Sequence, residues 1–146
     1  MFEPNSIFHS AAIEANADWE SSFDYLADPS NLGKWALGCF DAQPTQTPGL
    51  VVGESIVSGS KVWVKITQSK SAGIIDYHVG TEEKLLPRIS VRVIAGSSCG
   101  RGPDRSLITL QGWRGDDVDD DRWKTTCVSH DVEILIIKNL VENSCK

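Results

Sequence analysis

Neither glycine nor proline interrupts the chain from Asp119 to Asn143, and that uninterrupted segment constrains the fold more than any other. Asp119, Asp120 and Asp121 open it, where free backbone N–H groups and the positive end of a helix dipole favour carboxylates. Trp123, Cys127, Val128, Val132, Leu135, Ile136 and Leu140 then recur at helical spacing, and Ile134, Ile137 and Val141 widen the apolar surface. The segment is predicted to be one long helix with Leu135 buried and Lys138 exposed. A helix so apolar through its second half needs a large cover.

The cover is in the middle of the chain. From Gly38 onward, Gly, Pro, Ser and Thr punctuate short runs rich in β-branched and aromatic residues, the texture of an antiparallel meander. Strands are predicted near Phe40–Pro44, Glu54–Ser58, Lys61–Gln68, Ile74–Val79, Arg88–Ala95 and Ser106–Trp113, with tight connections at Gly59-Ser60 and from Ser69 to Gly73. Connections this short exclude a parallel sheet. The loop from Gly96 to Arg105 is glycine-rich and polar and is expected to be exposed and mobile.

Ahead of the meander, Ser6 to Glu14 alternates as a strand. Asn16 or Asp18 can cap a helix running to about Ala27, and Asp28-Pro29-Ser30 ends it and can start a second short helix through Leu32 and Trp35. The fold class is therefore α+β: a curved antiparallel sheet of about seven strands around a long C-terminal helix, with two short helices after the first strand and a cavity between helix and sheet.

At 146 residues the chain is read as a single domain spanning 1–146. The formal net charge of −6, with no basic run, argues against nucleic acid or an anionic membrane as partner. No stretch approaches the apolar length of a membrane span, and MFEPNSIFHS lacks the features of a signal peptide; the expected location is the cytoplasm. Cys39, Cys99, Cys127 and Cys145 are widely spaced without a CxxC pair, so reduced thiols are expected. His9, His78 and His130 lack metal-ligand spacing, and no serine-hydrolase, phosphate-loop or dinucleotide motif occurs. Neither metal nor cofactor is implied.

Several strings resemble the START-like, helix-grip superfamily (SRPBCC), which includes the birch-pollen-allergen type and the polyketide cyclase/dehydrase type. FDYLADPSNLGKW (Phe23 to Trp35), GIIDYHV (Gly73 to Val79), VRVI (Val91 to Ile94) and IIKNLVE (Ile136 to Glu142) are similar to segments of small bacterial members, in the same order along nearly the whole chain. The resemblance implies the helix-grip fold and an internal cavity. It does not choose between the carriers and the enzymes of that superfamily.

Two function classes follow. The first is binding of a hydrophobic or aromatic small molecule, as monomer or homodimer, with Tyr77, Trp35, Trp63, Trp113, Trp123, Val128 and Leu135 lining the cavity. Alternation in Ile75, Tyr77 and Val79 turns Tyr77 inward and leaves Asp76 and His78 wet. The second is an enzyme of the cyclase/aromatase or hydratase type, in which Asp76, His78 or Arg92 supplies a proton. That reading requires the opposite face of the same strand to point inward. Arg92 is expected either at the surface or paired with Asp76 across the sheet. Arg114 stands beside Trp113 at the end of the last strand, either gating a cavity mouth or exposed in a loop.

Overall fold

A computed structural model describes residues 6–144. The first half of MFEPNSIFHS, Met1 to Asn5, lies outside the described residues, as do Cys145 and Lys146. The elements run β1 (Phe8–Ala15), α1 (Trp19–Ala27), 3₁₀ turns at Pro29–Lys34 and Leu37–Cys39, β2 (Phe40–Pro44), β3 (Leu50–Glu54), β4 (Lys61–Ser69), β5 (Ile74–Gly80), β6 (Leu85–Ala95), β7 (Ser106–Trp113) and α2 (Asp120–Ser144).

The seven strands form one sheet in the order β1-β7-β6-β5-β4-β3-β2, every neighbouring pair antiparallel. Strands β2 to β7 are a meander. Strand β1 closes the far side against β7, so α1 and the 3₁₀ turns must carry the chain from one edge of the sheet to the other. Asp18 caps α1 by accepting from the Ser21 amide at 3.0 Å. Asp28 ends α1 and accepts from the amide and hydroxyl of Ser30 at 3.0 and 2.8 Å, which starts the Pro29–Lys34 turn. The sheet's inner face meets α1 and α2 in one apolar core that includes Phe23, Leu26, Val64, Ile75, Val91, Ile108, Leu110 and Ile137.

Three expectations are corrected. The strand placed at 54–58 lies at Leu50–Glu54, and residues 55–58 turn toward β4. Gly53 is a strand residue of β3 at a close approach. A Cβ on it would meet the Phe40 carbonyl oxygen at 2.8 Å and Cys39 Sγ at 2.9 Å. The loop 96–105 is exposed, but it opens with a 3₁₀ turn at Gly96–Cys99 and is tied down. Gly96 N–H donates to the Arg105 carbonyl at 2.7 Å, and Arg101 grips Glu14 through two 2.7 Å bonds.

The third correction concerns the face of α2. The buried stripe is Trp123, Cys127, His130, Ile134, Ile137 and Val141, with Glu133 beside it. Val128, Val132 and Leu135 point outward and are 54, 44 and 59 % exposed. Both sets follow alternating steps of three and four residues, so spacing alone could not rank them. Lys138 is not a free surface lysine: its ammonium donates to the Glu14 carbonyl at 3.3 Å and pairs with Glu142. No helix among the described residues is long and apolar enough to cross a membrane.

Candidate functional site

Between the N-terminal half of α2 and the sheet lies a cavity of about 730 Å³. Val62 and Val64 of β4, Tyr77 and Val79 of β5, Ile89 of β6 and Leu110 of β7 form its sheet wall. Leu32, Trp35 and Cys39, on the 3₁₀ turns and the link between them, form a second side; Trp123, His130 and Glu133 of α2 form the third. On β5 the wall follows from alternation, with Tyr77 and Val79 inward and His78 between them facing out. Elsewhere adjacent residues line the cavity together: Lys61 with Val62, Arg88 with Ile89 where the β5–β6 register shifts, and Gly112 with Trp113.

The polar groups sit on the helical sides. Glu133 is 5 % exposed and His130 4 %. One Glu133 oxygen, Oε2, accepts the Leu37 amide at 2.8 Å, while Oε1 stands 3.9 Å from His130 Nε2, beyond hydrogen-bond length. Burial pushes the Glu133 carboxyl up to about 8, against the opposing pull of the Leu37 N–H. Burial also drops the His130 imidazole to about 4, with the neighbouring His9 adding to the fall. At neutral pH the pair is therefore an uncharged acid beside an uncharged base. The imidazole is held over Gly112 of β7, where a Cβ would meet His130 Cε1 at 2.5 Å. His9, whose ring centroid is 6.4 Å from that of His130, pairs with Asp131 at 2.9 Å.

Three buried polar atoms in this region have no partner: Trp35 Nε1, Trp123 Nε1 and His130 Nδ1. All three belong to residues that line the cavity. Tyr77 differs: its hydroxyl donates to the Leu26 carbonyl at 3.1 Å, and its ring stands edge-on to Trp35 at 5.6 Å. Burial drives the Tyr77 hydroxyl's pKa well above its ordinary value, with the Glu133 charge adding to the rise, so it stays a neutral donor. Cys39 Sγ donates to the Val62 carbonyl at 3.4 Å, and burial pushes the thiol up to about 11. Arg88 reaches Asp117 at 3.1 Å, and Arg114 reaches the Val118 carbonyl at 2.9 Å and Asp120 at 2.8 Å. Both arginines line the cavity and hold the segment before α2 at its mouth.

Of the residues expected from sequence to line the cavity, the structure brings together Tyr77, Trp35, Trp113 and Trp123. Trp113 lies at the rim, 41 % exposed and 5.9 Å from the Phe8 ring. Val128 and Leu135 point to solvent on the outer side of α2. Trp63 stands outside the lining, with the Lys61 ammonium 5.9 Å from its ring centroid. Asp76 and His78 alternate with the inward Ile75, Tyr77 and Val79, and so lie on the opposite, outer face of β5. Asp76 is opposite Thr67 and Ser90, and Arg92, exposed, is opposite Ile74 and Thr109. No ion pair joins Arg92 to Asp76 among the described residues. The acid–base set named from sequence is thus not in the cavity, and His130 and Glu133 are. Their signal was present in the sequence: His130 completes the spacing Trp123, Cys127, His130, Ile134, Ile137 with alternating steps of four and three.

Among the described residues, no group of three or more His, Cys, Asp or Glu is arranged to hold a metal ion. Neither a protein-family model nor a curated protein matches the sequence. Solved structures do match in fold. XoxI from Bacillus cereus superposes with a TM-score of 0.71 at 10% identity, over 93% of this chain and 96% of its own. The Zhui aromatase/cyclase from a Streptomyces species gives 0.66 at 12% identity, over 95% of each chain. A START superfamily protein from Mycobacterium smegmatis gives 0.61 at 9% identity, over 96% of this chain and 97% of its own. With the antiparallel sheet wrapped on a long C-terminal helix, these likenesses establish that the chain has the START-like, helix-grip (SRPBCC) fold.

Proposed function

We propose that the chain acts as a single binding domain whose cavity takes a small hydrophobic or aromatic molecule carrying a hydrogen-bond acceptor such as a carbonyl. The observation that carries this reading is the pair of buried, unpartnered indole N–H groups of Trp35 and Trp123 in the cavity lining. A buried donor without a partner costs about 1–3 kcal/mol, and an acceptor on a bound molecule recovers that cost. The apolar wall of Val62, Val64, Val79 and Leu110 suits the body of such a molecule. Neighbours of the same fold include an aromatase/cyclase, which is consistent with an aromatic ligand.

The test compares β-tetralone, which has a carbonyl, with tetralin, which has the same carbon frame and none. Trp35→Phe and Trp123→Phe should each weaken β-tetralone binding by about 0.5–1.5 kcal/mol and leave tetralin unchanged. Equal losses for both compounds would show that the indoles contribute packing alone. Native mass spectrometry of the purified protein would then identify any retained molecule.

A further inference from the structure

We infer that His130 and Glu133 form a proton-transfer pair that enolises a carbonyl compound held in the cavity, an inference that rests on the binding reading above. Both side chains line the same cavity from one face of α2, three residues apart. Each is fixed by a separate contact. The Leu37 amide occupies Glu133 Oε2 and leaves Oε1 for a ligand. The backbone of Gly112 seats the imidazole, where any larger residue would displace it. The 3.9 Å between Oε1 and Nε2 is too long for a direct bond, yet short enough that one bound molecule can touch both.

The step balances within the site. The imidazole nitrogen takes the proton from the carbon next to the carbonyl, and that C–H pair becomes the C=C bond. The carbonyl π pair moves onto oxygen, which takes the Glu133 proton. The products are an enol, an imidazolium and a carboxylate; reversing the transfers, at the same or another carbon, restores both residues. Burial disfavours either charge alone, and raises the carboxyl to about 8 and drops the imidazole to about 4. The step creates both charges together, a few ångströms apart, where they stabilise each other. The titratable neighbours fit: Tyr77 is tied to the Leu26 carbonyl and stays neutral, and His9 and Asp131 hold each other at 2.9 Å on the β1 side.

The experiment follows hydrogen–deuterium exchange next to the carbonyl of β-tetralone by NMR in heavy water, with binding read separately by tryptophan fluorescence. The wild-type protein should speed exchange beyond the buffer rate, and His130→Gln and Glu133→Gln should each lower that acceleration by about 10²-fold or more while still binding. Binding by the wild type without faster exchange overturns this inference and leaves the binding reading intact, and it does so whether or not the variants fold. Exchange at the wild-type rate in both folded variants overturns it too. No binding at all overturns the binding reading, and this inference with it.

Discussion

The two halves of α2 belong to one stripe but do different work. In the C-terminal half, Ile134, Ile137 and Val141 are 5, 0 and 0 % exposed and pack with the apolar core. In the N-terminal half, Trp123 and His130, with Glu133 just past the midpoint, are as deeply buried, but two of their polar atoms have no partner and the space beside them is open. Burial in the first half is matched by apolar neighbours. In the second it raises the cost of every polar group that lacks one. A helix can thus carry core and site on the same face, with only the chemistry of successive stripe positions changing.

The contrast predicts a graded set of effects. Ile137→Ala removes a fully buried side chain and should cost about 2–5 kcal/mol in a denaturant titration. A loss below about 1 kcal/mol would mean that this half is not core. Gly112→Ala places a methyl 2.5 Å from His130 Cε1 and should cost about 1–3 kcal/mol, with the His130 ring resonances displaced. If stability and resonances stay put, the imidazole is not seated on Gly112.

The pH dependence should separate the halves further. Glu133 binds its proton more tightly in the folded protein than in the unfolded chain, so its contribution is full below pH 4.5 and is lost as pH rises toward about 8. Glu133→Gln should abolish that decline. His130 has the opposite sign: its contribution is full above pH 6.5 and is lost as pH falls through about 4. His130→Gln should flatten that acid limb. Thermal midpoints measured across pH 4–9 on the wild type and both variants check both signs, and an Ile137→Val control should leave the curve's shape unchanged. At the small end, Leu135→Ala on the exposed outer stripe should cost about 0.5 kcal/mol or less, in place of the large loss its hydrophobicity suggests.

Much of the fold was legible because period two and the absence of helix breakers act locally. Strands β2 and β7 lie where the sequence places them, and the inward turn of Tyr77 follows from its apolar neighbours Ile75 and Val79. The face of α2 was not legible from hydrophobicity, because Val128, Val132 and Leu135 share the spacing of the buried set. The sheet accepts the stripe containing His130, and the outer face tolerates scattered apolar residues at little cost. The site is hidden for the same reason: without the buried stripe assigned, nothing in the sequence turns His130 and Glu133 toward the cavity. Trp63 was misplaced although alternation with Val62 and Val64 already sets it outward. The bounds of β3 depend on a contact that only the fold shows, the close approach of Cys39 and Phe40 to Gly53.

The claim that the N-terminal half of α2 holds a ligand site is tested most directly by the indole N–H resonances of the tryptophans during a titration with β-tetralone. Trp35 and Trp123 should shift downfield as their donors find an acceptor, while Trp19 and Trp63, outside the lining, stay fixed. Saturable binding that leaves Trp35 and Trp123 unmoved, or that moves Trp63 instead, would contradict it.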